Sequence, residues 1–183
     1  AIVSDMNPAL DEKTLKWSTT GPAFWRVQTG VQAFDLKDCL SIGNLPNGHF
    51  SILSTRVTGP LIMKWRQKIS TEAGSDLLTV SLDGTQASVI SGSHDWNDTS
   101  LTVPAGVHQI DFTFAKDSTG AAGQDRVWLD TFALESATVP SGTPESRIVA
   151  SRTTQSLTAT FTGPTPGSFQ WRRNGGKLAN ATS

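Results

Sequence analysis

Apolar and polar residues alternate with period two in many short stretches between Leu15 and Leu134, and helical periodicity is nearly absent. This alternation is typical of antiparallel strands that bury one face. Residues 61–69 show it most clearly, because positions 61, 63, 65 and 69 are apolar and three cationic residues fall between them. The pattern predicts an all-β chain.

About ten short strands fit the pattern, separated by turns rich in glycine, proline and serine. Asp83-Gly84 predicts a two-residue hairpin, since both residues adopt positive φ readily. The predicted strands are residues 15–19, 25–29, 39–44, 50–58, 61–69, 78–82, 86–91, 97–103, 108–114 and 126–134. This number of short strands favours two packed sheets, an antiparallel β-sandwich.

A stretch of Pro, Gly, Ser and Thr at residues 137–145 predicts a linker between two regions. We predict a complete domain at residues 1–136 and part of a second β-domain at residues 146–183. Because that second domain would stop before it closes, we expect the chain to be a piece of a longer modular protein.

Charge is distributed unevenly along the chain, although the formal net charge is −1. Residues 1–145 carry 10 basic and 16 acidic side chains, a balance of −6, whereas residues 146–183 carry five basic and none acidic, a balance of +5. No recognition motif accompanies the basic tail, so we do not expect nucleic-acid binding. No apolar stretch approaches the ~18 residues of a transmembrane span. The single cysteine, Cys39, is interpreted as a small buried hydrophobe.

Six short motifs occur in an order that resembles a known family. Together they look like the cysteine-poor MAM-like jelly-roll modules of large secreted or surface bacterial proteins, over residues 10–135. The motifs are residues 15–21 (LKWSTTG), 24–29 (FWRVQT), 57–65 (VTGPLIMKW), 76–84 (DLL with LDG), 103–108 (VPAGVH) and 116–130 (KD through WLD). The paired cysteines of true MAM domains are missing, so receptor-type homophilic adhesion is not implied.

The tail resembles strands B and C of a bacterial immunoglobulin-like repeat, with Trp171 as its core tryptophan. The resemblances together imply a jelly-roll β-sandwich followed by a partial immunoglobulin-like sandwich, in a secreted or cell-surface protein.

Catalytic constellations are not evident in the sequence. No second His, Cys or Glu lies at metal-ligand spacing around His49, His94 or His108. No serine lies in a nucleophile elbow, and the four glutamates do not suggest a paired-carboxylate site. We therefore expect neither an enzyme nor a metal or cofactor that takes part in chemistry.

The candidate ligand-binding residues are His94, Asp95 and Trp96, which combine an aromatic plate with polar groups. Sugar binding requires this combination, because a pyranose offers an apolar face to stack and hydroxyls to hydrogen-bond. In the alternative interpretation Trp96 begins a strand and packs inward.

Two further features have a functional and an ordinary interpretation. The acidic, glycine-containing loop 117–125 could wrap a structural calcium ion with oxygen ligands, or be an Asx-stabilised turn. The stripe Lys64, Arg66 and Lys68 could meet acidic polysaccharide or a membrane surface, or be merely solvated.

Asp130 is predicted to be structural. Alternation places it on one face with Trp128, Phe132 and Leu134, but the opposite face of the strand is also apolar, so the sequence leaves the inward side open. If the face of Asp130 is the core, its carboxylate must accept hydrogen bonds or bind a cation. We expect Asp130 to hold backbone N–H groups of an adjacent loop, with calcium as the less favoured partner.

The sequence thus predicts a non-catalytic binding or adhesion module for carbohydrate or a partner surface, attached to other domains of its parent chain. A structural spacer or accessory domain of a secreted hydrolase is the alternative.

Overall fold

The computed structural model describes residues 6–137 and the backbone of two short strands near the C-terminus. A 3-10 helix, Pro8–Leu10, precedes the first strand. The strands are β1 (Trp17–Thr20), β2 (Arg26–Thr29), β3 (Asp38–Gly43), β4 (Phe50–Ser70), β5 (Leu77–Leu82), β6 (Thr85–Ser91), β7 (Ser93–Ala115), β8 (Arg126–Ser136), β9 (Arg172–Arg173) and β10 (Gly176–Lys177). No helix in this described part is long and apolar enough to cross a membrane.

The predicted all-β fold, an antiparallel β-sandwich of jelly-roll type, is confirmed for the first part of the chain. Its two layers share β4 and β7, which pair with each other along most of their length. In the first layer the N-terminal half of β4 pairs with β1, and the C-terminal half of β7 pairs with β5, which pairs with β6. In the second layer the C-terminal half of β4 pairs with β8, which is followed by β3 and β2.

The division into ten short strands was wrong at β4 and β7, because each joins two predicted strands into one. Proline and glycine mark the joints, and the register shifts there between Gly59 and Leu61. A Cβ atom at Gly59 would collide with the backbone carbonyl of Pro104, so only glycine allows the two strands to approach so closely. The breaker residues bend the strands from one layer into the other rather than ending them.

Four aromatic side chains join the two layers in the core: Trp17, Trp65, Phe112 and Phe132. The Trp17 and Phe132 rings meet edge to face at 5.2 Å, and the Trp65 and Phe112 rings do so at 5.3 Å. Such pairs add about 0.5–1.5 kcal/mol beyond the area they bury. They come from β1, β4, β7 and β8, so one cluster secures strands of both layers.

The faces predicted for β8 are wrong after Asp130, because the strand contains a bulge. Lys64 is opposite Ala133 and Arg66 is opposite Asp130, so two residues of β8 face the single residue Trp65 of β4. Thr131 lies in the bulge with a φ of 52°. Phe132 and Leu134 therefore pack in the main core, whereas Trp128 and Asp130 lie on the opposite face.

The predicted hairpin at Asp83-Gly84 is confirmed, with φ values of 49° and 79°. Asp83 also accepts hydrogen bonds from Gln109 N (2.9 Å) and lies 2.6 Å from His108 Nδ1. This pairing raises the pKa of His108 and lowers that of Asp83.

The chain divides into two compact units, Ala1–Ser136 and Ala137–Ser183. In the second unit β9 and β10 pair antiparallel. Trp171 and most of the predicted immunoglobulin-like region lie outside the described residues.

We predict that Asp83→Asn lowers the pKa of His108, measured by NMR titration of its ring protons. Asparagine tolerates the positive φ of the turn but lacks the charge that favours imidazolium. Because folding raises the pKa of His108, the His108–Asp83 pair stabilises the folded state fully when the pH is below the ordinary pKa of histidine. This stabilisation is lost as the pH rises through the pKa of His108 in the folded state. Asp98→Asn, in the other layer, is the control and should leave His108 unchanged. An unaltered titration in Asp83→Asn would contradict the pairing.

We predict that residues 1–136 unfold cooperatively without the tail, with a thermal midpoint within about 3 °C of the full chain. The reason is that the sandwich core is formed within residues 6–137. Differential scanning calorimetry of both lengths measures this, and a broad, non-cooperative transition would show that the domain boundary is misplaced.

Candidate functional site

The outer face of the second layer carries an unusual row of side chains. Arg26 of β2 is opposite Ser41 of β3, Ser41 is opposite Trp128 of β8, and Trp128 is opposite Lys68 of β4. Residues directly opposite in antiparallel strands share a face. This face is therefore polar at its β2 edge and aromatic at its centre, and we call it the outer face.

The loop between β2 and β3 folds over part of the outer face. Gly30 N donates to Lys37 O (2.8 Å), and Ala33 N donates to Gly30 O (2.9 Å). Ala33 packs with Cys39 and Trp128 in a small buried cluster separate from the main core. Burial raises the pKa of the Cys39 thiol to about 12, which keeps it protonated and unreactive.

Asp130 holds this loop. It is 1% exposed, and its Oδ2 accepts a hydrogen bond from Phe34 N at 2.9 Å. Its Oδ1 accepts from the N–H of Thr131 at 2.6 Å, in the bulge. Burial raises the pKa of the Asp130 carboxyl, while these two hydrogen bonds act in the opposite direction.

An open depression of about 530 Å³ lies beside the loop on the same face. Its lining includes Arg26, Gln28, Ser41, Gln124, Arg126 and Trp128. Trp128 is fully buried and forms the floor, so it offers no exposed stacking surface. None of the described residues that line the depression is acidic.

Hydrogen bonds connect three of the polar side chains that line the depression. Gln28 Oε1 accepts from Ser41 Oγ (3.0 Å) and from Trp128 Nε1 (3.2 Å). Ser41 Oγ in turn accepts from an Arg126 amino nitrogen at 3.4 Å. The four residues come from three strands and form one connected network.

The structure places the predicted ligand-binding residues at the edge of this face. Trp96 is half-buried and packs against the small cluster of Ala33, Cys39 and Trp128, so it points neither into the main core nor fully into solvent. Asp95 accepts from Trp96 N (2.9 Å) and pairs with Lys68 (3.3 Å), while His94 Nε2 lies 3.0 Å from Ser91 O.

Phe34 is the aromatic neighbour of Trp96, and sequence reasoning missed it. Their rings meet nearly perpendicular at 6.1 Å, and the Arg66 guanidinium lies 3.6 Å above the Phe34 ring. Phe34 keeps 40% of its surface exposed. The position of Phe34 in a polar loop after a predicted strand indicates an exposed residue. The sequence gives no signal of its contact with Trp96, because that contact forms only in the folded structure.

The cationic stripe is not a free positive surface, because each of its members is paired. Lys64 contacts Glu135 at 2.7 Å, Arg66 contacts Asp98 at 2.9 Å, and Lys68 contacts Asp95 at 3.3 Å. Such exposed pairs contribute little to stability, but they cancel the charge of the stripe.

The acidic loop 117–125 lies beside a lysine. The Lys116 side chain is 2% exposed, pairs with Asp125, and lies 4.0 Å from Asp76 Oδ2. Asp117 Oδ1 accepts from Thr119 N at 2.9 Å, which is an Asx turn. In the described residues no three His, Cys, Asp or Glu side chains converge as a metal site would require.

Solved structures that resemble the chain include carbohydrate-binding modules and adhesin domains. TmCBM61, in complex with β-1,4-galactotriose, is 18% identical with a TM-score of 0.47, over 70% of this chain and 92% of that one. The K3 cleaved adhesin domain of Lys-gingipain from Porphyromonas gingivalis is 12% identical with a TM-score of 0.46, over 66% of this chain and 91% of that one.

The secreted serine protease VesC from Vibrio cholerae is 18% identical with a TM-score of 0.48, over 53% of this chain, and the match spans 21% of VesC. At these identities the likeness concerns the fold alone. No family model and no curated protein matches the chain, so the MAM-like resemblance stays a prediction.

We predict that Asp130→Ala lowers the free energy of unfolding by about 2–4 kcal/mol, since two partly buried backbone N–H groups lose the buried carboxylate that accepts from them. Denaturant unfolding measures the loss. Asp98→Ala, which removes an exposed carboxylate from the same face, is the control and should cost less than about 1 kcal/mol. Equal stability of Asp130→Ala and the unmodified protein would contradict a structural role, and destabilisation of the unmodified protein by EDTA would indicate calcium instead.

Proposed function

We propose that the first unit is a non-catalytic module that binds carbohydrate on its outer face, within a larger secreted or cell-surface protein. The observation that carries this proposal is the depression over Trp128 with its polar lining. Trp128 also belongs to the small cluster against which Trp96 packs, and Trp96 in turn contacts the partly exposed ring of Phe34. Sugars need both kinds of contact, because their rings stack and their hydroxyls hydrogen-bond.

Three of the polar side chains in the depression are pre-organised, which supports a binding role. Gln28, Ser41 and Arg126 are held by one another and by Trp128 before any ligand arrives. Ordering such side chains on binding costs about 0.5–1.5 kcal/mol each, and a fixed network avoids that cost.

Asp95 and His94 belong to the rim of the proposed site. Asp95 forms an ion pair with Lys68 and accepts a hydrogen bond from the backbone N–H of Trp96. Its proposed role is to orient the strand segment that carries Trp96. His94 is exposed and is the member of the predicted trio with the weakest link to the depression.

A structural spacer is the second candidate, because one observation favours it. Trp17, Trp25, Trp65 and Trp128 are each at most 2% exposed, which leaves Trp96 as the partly exposed tryptophan of the described residues. A module that only separates other domains needs no exposed aromatic surface.

A polysaccharide and glycan panel, screened with the full chain with and without calcium, tests the proposal. We expect binding to at least one glycan, and a loss of affinity of about tenfold or more in Trp96→Ala or Phe34→Ala, equivalent to ~1.4 kcal/mol. Phe50→Ala is the matched control, because Phe50 is 57% exposed at the start of β4 in the first layer.

The outcomes separate the two candidates. If Phe50→Ala weakens glycan binding as much as Trp96→Ala does, the binding site lies elsewhere. Absence of binding to every glycan, with an intact thermal transition, would favour the spacer.

A further inference from the structure

We infer that the ligand of the depression is an acidic glycan whose uronate carboxylates are bound by Arg26 and Arg126. This inference rests on the proposed carbohydrate binding and names the chemical class of its ligand. Two features of the outer face support it, the direction of its hydrogen bonds and its charge. The space above Gly43 provides a variant that tests it.

The donor and acceptor of each hydrogen bond in the network are determined by the two residues at its ends, Trp128 and Arg126. Trp128 Nε1–H and the Arg126 guanidinium can only donate. The Gln28 atom that faces Trp128 is therefore the oxygen, and Ser41 must accept from Arg126 and donate to Gln28. The amide oxygen of Gln28 and the proton of Ser41 are consumed within the network.

Donors consequently remain for a ligand. The Gln28 amide NH₂ and the further N–H groups of Arg126 take no part in the network. Arg26, in the same cross-strand row as Ser41, adds a second guanidinium. Neutral sugar hydroxyls both donate and accept, whereas a carboxylate only accepts. The other two glutamine amides of the lining both donate and accept, so the surplus of donors comes from the two guanidiniums, and that surplus suits a carboxylate.

The charge of the depression indicates the same ligand. No ion pair among the described residues involves Arg26 or Arg126, although Lys64, Arg66 and Lys68 on the same face all have acidic partners. Residues 1–136 carry 10 basic and 15 acidic side chains, a balance of −5. A depression with two guanidiniums and no acid is thus a positive region on a negative unit, and a planar guanidinium binds a carboxylate with two parallel hydrogen bonds.

Gly43 leaves room for the Arg126 side chain to lie across β3. A Cβ atom at Gly43 would be 2.9 Å from Arg126 Cζ and 3.0 Å from one of its amino nitrogens. Because the end of an arginine is flexible, Gly43→Ala should displace the guanidinium without disturbing the sheet. This substitution changes the position of the charge without removing any charged or polar side chain.

The experiment measures binding of the full chain to four uronate polymers, polygalacturonate, alginate, glucuronoxylan and hyaluronan, each beside its carboxyl-reduced counterpart. Isothermal titration calorimetry or affinity electrophoresis reports affinity. We expect at least one uronate polymer to bind at least tenfold more tightly than its reduced form, since each charge-assisted contact is worth roughly a tenfold to hundredfold difference.

The variants locate the effect. Arg126→Ala and Gly43→Ala should each weaken uronate binding about tenfold or more, and Arg126→Lys should not restore it, because an ammonium lacks the planar fork. Gln28→Glu keeps the acceptor for Trp128 and Ser41 but turns the outward amide into a carboxylate, so it should abolish uronate binding. Thermal midpoints close to that of the unmodified protein confirm that each variant is folded.

Two controls exclude charge alone as the cause. Arg56→Ala removes an exposed arginine of the first layer, and the double variant Arg172→Ala/Arg173→Ala removes cations of the basic tail. Neither should change uronate affinity. A loss in the tail variant without a loss in Arg126→Ala would overturn the inference.

Other results would also overturn it in distinguishable ways. Equal affinity for a polymer and its carboxyl-reduced form, or for neutral glycans only, would refute the uronate assignment and leave carbohydrate binding intact. Equal affinity for dextran sulfate would refute carboxylate recognition in favour of general polyanion binding. Absence of binding to any glycan would refute both proposals.

Discussion

The bulge at Thr131 is the constraint on which both faces of β8 depend. Before it, Val127 and Leu129 face the main core; after it, Phe132 and Leu134 do so. A β-branched residue at a φ of 52° is costly, and the hydrogen bond from its N–H to Asp130 Oδ1 helps to offset that cost. The change of face brings Phe132 into the aromatic core. It also leaves Trp128 and Asp130 on the outer face, where they support the loop and the depression.

Sequence periodicity predicted most of the fold because the sandwich buries one side of most strands, and a period of two is visible in a short window. It failed where the register changes. A bulge alters the face of every later residue without any change in composition, so alternation in the sequence places Phe132 and Leu134 on the face of Asp130. The strands predicted at residues 50–58, 61–69, 97–103 and 108–114 leave out Pro60 and Pro104. Proline cannot join a regular ladder, but at the shared bend of β4 and β7 these two residues interrupt the pairing only locally.

The candidate site was harder to predict than the fold, because its members come together from different strands. Trp96 is conspicuous in the sequence because it is an aromatic residue among polar ones. Gln28, Ser41 and Arg126 are ordinary strand residues until β2, β3 and β8 are aligned. The cations show the same limitation. A stripe of three cations on one strand is conspicuous in the sequence, but pairing with acids of β7 and β8 cancels its charge. Arg26 and Arg126, which have no acidic partner among residues 6–137, are distant from each other in sequence.

The polar network also bears on the choice between a binding module and a spacer. A spacer would be more stable with apolar residues in place of Ser41 and Gln28. Removing polar groups from water costs free energy, and the hydrogen bonds between these groups offset that cost without adding stability beyond it. Here Ser41 is 4% exposed, and its hydroxyl serves to connect Arg126 to Gln28. The polar network contributes little stability that a pair of apolar side chains could not. Its particular effect is to fix the direction in which the donor groups of Gln28 and Arg126 point. That property matters for a ligand and not for a spacer.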